Sequence, residues 1–196
     1  MSNKIMVVEY NPEWVQQFET LKQRLLLEIE PYILSIEHVG STAIPNLMAK
    51  PVLDMDIIIN DDPNNRTEVL NRLQILGYWH IGEMGIVGRE AFKRLNPQIP
   101  FTEPPREWVR HNLYLCQQGS MGLENHLCLR NYLLQNPDAV VEYSALKRQL
   151  AEAFPNDIGA YTEGKTEFIL SILQRVGISE SVAKQIALQN KQIGVK

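Results

Sequence analysis

Apolar positions recur along this chain with two periods, and the places where one period gives way to the other mark its elements. Trp14, Phe18, Leu21, Leu25 and Ile29 follow one another at helical spacing. Ahead of them, Asn11-Pro12-Glu13 supplies a capping side chain, a first-turn proline and an acid at the positive helix end. Pro31 closes that helix. "LSIEHVG" then reads as a strand, residues 41–49 as a loop with room for a short helix, and "PVLDMDIII" as a central strand dense in β-branched residues. Asp62-Pro63 opens a second helix whose apolar face is Val69, Leu70, Leu73 and Leu76, and Gly77 ends it. "YWHIG", "REAFKRL" and "WVRHNLYLC" predict three further strands, the last two separated by the proline-rich "NPQIPFTEPP". From Ser120 the pattern is helical, with breaks near Pro137, Pro155 and Gly177. The order predicts an α+β fold, a mixed sheet flanked by helices with a helical C-terminal cap. No linker divides the chain, so residues 1–196 are expected to form one domain, an α/β core over 1–118 and a helical part over 119–196.

One strand breaks the apolar rule. Asp54 and Asp56 stand two apart in "VLDMDIII", so they emerge on one face with Cα atoms roughly 6.5 Å apart. A buried carboxylate without a partner costs several kcal/mol. Two hard carboxylates within reach of one ion suit Mg²⁺, which takes oxygen ligands and completes its shell with water and substrate phosphates. The plainer account is an edge strand with one wet face, but the apolar neighbours Val52, Leu53, Met55 and Ile57 to Ile59 make this strand look central.

The preceding strand ends in Gly40-Ser41-Thr42. A glycine there lets backbone N–H groups and a hydroxyl approach an anion closely, though a plain turn would use the same residues. His38, just upstream, fits either a structural role or one in orienting that loop or binding phosphate. Lys50 precedes the acidic strand, where it could meet a triphosphate or pair with Asp54. Tyr143 with Lys147, and Tyr161 with Lys165, stand four apart on helical faces. They are either surface decoration or a cap closing over a nucleotide base and its phosphates. His80 and His126 show no partner pattern and read as structural. His111 opens the alternating "HNLYLC", on the face of Leu113 and Leu115. It is expected either in the core or at the rim of the cleft, where it would serve the site as a catalytic residue.

Composition narrows the classes. A hydrophobic fraction of 44% and a charged fraction of 21% describe an ordinary folded protein. Neither a secretory signal nor an apolar run long enough for a bilayer is visible, so no membrane partner and a cytoplasmic location are expected. A net charge of −4 argues against broad nucleic-acid binding. Cys116 and Cys128 are too far apart for a CxxC pair and read as reduced thiols.

A strand ending in Gly-Ser, a short connector and a central strand with Asp-x-Asp resembles the nucleotidyltransferase superfamily related to DNA polymerase beta. More closely, "EHVGSTAIPNLMAKPVLDMDIII" resembles the signature of the GrpB-like family, uncharacterised protein family 0157. The likeness extends through "RHNLYLC", "HLCLRNYLLQNPDAVVEYSALKRQLA" and "DIGAYTEGKTEFI". It implies a polymerase-beta-like fold and Mg²⁺-dependent nucleotidyl transfer from a nucleoside triphosphate to an acceptor that the sequence leaves open. Asp54 and Asp56 would then hold the metal, and Gly40, Ser41, Thr42, His38, Lys50 and Lys165 the triphosphate. The alternative is a non-catalytic module binding a nucleotide or coenzyme. The chain departs from the superfamily in having no third carboxylate within "WVRHNLYLC", a place that Glu90 or His111 would have to fill. It departs from its relatives in having Asn131 where Arg-Asp-Tyr is usual.

Overall fold

The computed structural model describes residues 4–177. The C-terminal part of the expected helical tail, residues 178–196, lies outside the described residues.

Helix α1 (Glu13–Ile29) starts where Asn11 Oδ1 accepts from the Glu13 N–H at 3.0 Å, and it buries the five residues of its predicted face. Strands β1 (Ser35–Val39) and β2 (Leu53–Ile59) are joined by a connector that opens with a 3-10 turn, Ser41–Ala43. Helix α2 (Pro63–Ile75) is capped by Asp62, whose carboxylate accepts from the Asn64 N–H at 2.8 Å. Strands β3 (Trp79–Gly82), β4 (Arg89–Lys93) and β5 (His111–Gln117) follow, then helices α3 (Met121–Gln135), α4 (Pro137–Ala153), α5 (Ile158–Glu163) and α6 (Thr166–Arg175). The last strand starts later than its sequence suggests: Trp108 is spent on the proline-rich loop, where its Nε1–H donates to the Pro100 carbonyl at 2.7 Å.

The five strands run in the order β1-β2-β5-β4-β3, with β2 and β5 parallel and the remaining pairs antiparallel. Side chains alternate across a sheet, which sorts its two faces. Leu53, Met55, Ile57, Ile59, Leu113 and Leu115 face α1 and α2 and form the main core with them. The opposite face carries Glu37, Asp54, Asp56, Asn112 and Tyr114, as the register shows: Glu37 lies opposite Asp56, and Asp56 beside Tyr114. Further along that face, Ile58 and Cys116 are closed over by Leu123 and Leu127 of α3. Helices α3, α4 and α6 share a second core, into which the connector inserts Ile44 and Leu47. The polar face of the sheet is thus roofed by the helical part, and the acidic pair lies in the gap between them. Among the described residues no helix is long and apolar enough to cross a membrane.

Candidate active site

Strand pairing brings the acidic residues together, and the two aspartates differ in surroundings. Asp56 has no exposed surface. Its Oδ2 accepts a hydrogen bond from His126 Nδ1 at 2.8 Å, while its Oδ1 is buried with no hydrogen-bond partner. Asp54 is partly open to the cleft, and its Oδ1 accepts from Asn112 Nδ2 at 2.7 Å. Burial pushes the Asp54 carboxyl upward, against the pull of the Asn112 hydrogen bond. Burial also pulls the His126 imidazole down, but the charge and hydrogen bond of Asp56 more than offset this, and its pKa is raised.

Gly40 has φ 68° and ψ −166°, a region essentially reserved for glycine. A Cβ added there would stand 2.2 Å from Asp54 Oδ2. The turn therefore needs glycine twice, for its backbone and for the carboxylate beside it. Ser41 follows, and its hydroxyl accepts from Lys147 Nζ at 2.6 Å. Lys147, 2% exposed, also donates to the Met48 carbonyl at 2.7 Å and lies 4.3 Å from the Tyr143 ring centroid. Helix α4 thereby grips both ends of the connector.

A cavity of about 230 Å³ opens beside Asp54, lined by Ser41, Lys50, Arg110, Asn112, Lys147, Tyr161 and Lys165. Four basic side chains thus face one carboxylate. Lys50 and Lys165 flank the Tyr161 ring at 5.5 and 4.7 Å from its centroid. Burial depresses all three lysines. It takes Lys147 well below its ordinary value, helped by Lys165, and Lys165 down to about 8, helped by Lys50. A second lobe of about 190 Å³ lies on the other side, between α3 and α6, and shares Ser41, Asp54 and Lys165 with the first.

Of the expected site residues, Asp54, Gly40, Ser41, Lys50 and Lys165 are brought together at the two lobes, and Asp56 lies buried on the same strand face as Asp54, behind His126. The Tyr–Lys pairs are not surface decoration: Tyr143, Lys147 and Tyr161 are buried beside the cleft. His111 is a correction. Its register beside Leu53 sets it on the core face, opposite the aspartates, where it is 6% exposed. There Nδ1–H donates to the Val109 carbonyl at 2.9 Å and Nε2 accepts from Tyr78 at 2.7 Å. Burial lowers its pKa to about 3, which keeps it neutral. His38 and Thr42 are corrected too. By alternation His38 turns away from the Glu37 face and stacks on Phe18, with ring centroids 4.5 Å apart. Its Nε2 shares a hydrogen bond with the buried Thr42 hydroxyl at 3.0 Å, so both brace the turn from behind. Glu90 shares the core-side face with Leu115 and is bound by Arg66 and His80.

Sequence reasoning missed two residues of α3. His126 is the partner of Asp56. Arg130, one turn on, donates from Nη1 to Glu37 Oε2 and to the His38 carbonyl, both at 2.9 Å. That ties up the carboxylate nearest Asp56 across the strands and offsets the burial of Glu37, whose pKa falls. The signal present was "HLCLR", two polar side chains four apart with an apolar stretch between them. Among the described residues no group of three His, Cys, Asp or Glu side chains is placed to hold a metal ion. The residues do fit an ion whose shell a ligand completes: the orphaned Oδ1 of Asp56 and the open side of Asp54 supply hard oxygens, and phosphate with water supplies the rest.

A mixed sheet with a Gly-Ser turn, an acidic pair on the next strand and a helical roof defines a polymerase-beta-like nucleotidyltransferase fold. The crystal structure of the Cid1 poly(U) polymerase with MgGTP bound superposes with a TM-score of 0.54 at 9% identity, over 89% of this chain and 54% of that one, a likeness of fold. Within that fold, the chain belongs to the GrpB family, whose model, described as GrpB protein, matches residues 4–175. The crystal structure of conserved protein GrpB from Enterococcus faecalis is 32% identical with a TM-score of 0.72, covering 92% of this chain and 99% of that one. The UPF0157 protein YqkA of Bacillus subtilis (strain 168) is 35% identical over 166 residues, which are 85% of this chain but 45% of YqkA. The glutamate-rich protein GrpB of Alkalihalophilus pseudofirmus is 31% identical over 175 residues, 88% of this chain and 96% of that protein. The chain thus spans less than half the length of YqkA and nearly all of the second relative.

Proposed function

We propose that this protein binds a nucleoside triphosphate with Mg²⁺ and transfers its nucleotidyl group to a hydroxyl of an acceptor. The observation that carries this reading is the meeting, beside Ser41, of Asp54 with a pocket of four basic side chains, while the unsatisfied oxygen of the buried Asp56 lies on the same face of the same strand. A cationic pocket alone would suit any anion, and a carboxylate pair alone any divalent ion. Together they suit a metal-bound polyphosphate. Asp54 and Asp56 hold the ion, and His126 fixes Asp56 so that Oδ1 faces it. Lys50, Lys147, Lys165 and Arg110 receive the outer phosphates, and the Gly40 turn admits them close to the backbone. The metal, when bound, stabilises charge on the phosphates and on the oxygens exchanged at phosphorus.

One observation favours a second reading. Asn112 points an amide donor at Asp54 where a third carboxylate would help hold a second ion, which suits a protein that binds the metal–nucleotide without turning it over. Thermal shift with Mg²⁺ and each of the four common nucleoside triphosphates tests the shared part. Ligand at a hundredfold over Kd adds about 2.7 kcal/mol, roughly 5–10 °C for a chain of this size. Asp54→Asn and Asp56→Asn are expected to stay folded and lose the Mg²⁺-dependent part of the shift. Parent-like shifts in both variants would sink the metal assignment. Label passing from the α-phosphate to an added acceptor, with pyrophosphate released, separates transfer from binding alone.

A further inference from the structure

We propose that the lobe between α3 and α6 is a nucleobase subsite and that Asn125 reads the edge of the ring. This rests on the reading of the cationic lobe as the phosphate site. The two lobes share Ser41, Asp54 and Lys165, so a nucleotide with its phosphates in one has its nucleoside directed across Asp54 into the other.

Size, lining and an unsatisfied atom agree. About 190 Å³ exceeds the roughly 150 Å³ cavity that accepts benzene and suits one flat heterocycle. The walls are Ile44, Leu129, Leu133 and Ile169, apolar surfaces for the ring faces. Arg130 also reaches this lobe, but its guanidinium is engaged by Glu37 and the His38 carbonyl, so the lobe is poorly furnished for a second group of phosphates. Asn125 lines it too, and its Oδ1 is buried with no hydrogen-bond partner. A buried acceptor left unmet carries its full desolvation cost, and native structures seldom tolerate one. Once rotation about χ2 turns the amide into the lobe, a ring N–H or exocyclic amino group would satisfy it. The amide also carries donors, and an acceptor beside donors is the pattern with which asparagine reads a base edge. The wall behind is rigid, since Tyr143 stacks on Phe168 at 4.5 Å.

Calorimetry with Mg²⁺ compares each of the four nucleoside triphosphates with inorganic tripolyphosphate. In the parent, at least one nucleotide is expected to bind about tenfold or more tightly than tripolyphosphate. Asn125→Leu removes the hydrogen bonds while keeping the same branched skeleton of heavy atoms. It should weaken that nucleotide about tenfold, the scale of one or two lost hydrogen bonds, and leave tripolyphosphate unchanged, which also shows that the variant is folded. Ile169→Trp, filling the lobe from α6, should give the same selective loss. Equal affinity of nucleotide and tripolyphosphate in the parent overturns the subsite and leaves the phosphate reading standing. So does a loss in Asn125→Leu common to both ligands. Binding of neither ligand overturns both readings.

Discussion

A lysine taken out of water without a carboxylate in contact keeps its charge only against a desolvation cost, and this cleft contains a buried one, Lys147, and a half-buried one, Lys165. Neither Lys147 nor Lys165 forms an ion pair among the described residues. In the unfolded chain Lys165 titrates at its ordinary 10.5, and in the folded protein at about 8. Below pH 8 both states are protonated and the native state bears the whole cost of burying the charge. Between pH 8 and 10.5 the native state has released the proton and the unfolded state has not, so this group's contribution to stability rises with pH across that window. Without ligand, Lys165→Met is therefore expected to stabilise the protein at pH 7, by on the order of 1–2 kcal/mol, with the gain shrinking towards pH 10. Urea midpoints at several pH values measure this, and a gain that stays constant or grows with pH would contradict it. A bound polyphosphate reverses the balance, because it favours the charged amines and raises their pKa. Destabilisation of the empty protein and the proposed affinity for a polyphosphate would thus have one cause.

At the scale of elements, β1, the Gly40 turn and β2 form the unit that sets the turn against Asp54. Gly40→Ala meets two obstacles, a backbone region costing of order 1–3 kcal/mol for other residues and the Asp54 carboxylate where the methyl would go. The expected result is lost stability together with weakened tripolyphosphate binding. Ser41→Ala, which deletes one hydrogen bond worth roughly 0.5–1.5 kcal/mol, should lose less of both. Denaturant melts with calorimetry on each variant check the order, and a larger loss in Ser41→Ala would show that the hydroxyl, not the close approach, dominates. This unit was legible in the sequence because its signals are local: a glycine before a hydroxyl, and two acids at strand period among aliphatics. The parity of "HNLYLC" was legible too and set His111 on the face of Leu113 and Leu115, but whether the start of that strand lay in the core or at the rim of the cleft depended on its pairing beside Leu53. What the sequence could not show was register between distant elements. Nothing local says that α3 lies over the acidic face, so the contacts of His126 with Asp56 and of Arg130 with Glu37, 70 and 93 residues apart, left only two polar side chains one turn apart. Glu90 illustrates the converse, a plausible third acid whose strand pairing turns it to the wrong side.

Over the whole molecule, the cleft exists only because the sheet and the helical part close on each other, and their closure is apolar as well as polar. Ile44 and Leu47 leave the sheet connector to pack among Leu133, Val140, Tyr143 and Ile172. Lys147 ties the same connector at Ser41 and Met48. Such mutual burial predicts one cooperative unit, not two domains with a mobile joint, and the chain carries its own reporters. Its three tryptophans, Trp14, Trp79 and Trp108, all lie in the first 118 residues, so tryptophan fluorescence follows the sheet half. Leu133, 1% exposed, lies in α3 on the other side of the interface. Leu133→Ala should cost about 2–4 kcal/mol through lost burial and the cavity left behind. If the molecule unfolds as one unit, the fluorescence transition shifts by that full amount, with an unchanged denaturant slope. Far-ultraviolet circular dichroism, weighted towards the helices, should then give the same midpoint. A fluorescence midpoint that stays at the parent value while the dichroism midpoint falls would mean that the halves fold independently. In that case the acidic pair and the cations that face it would be held together by ligand instead of by the fold.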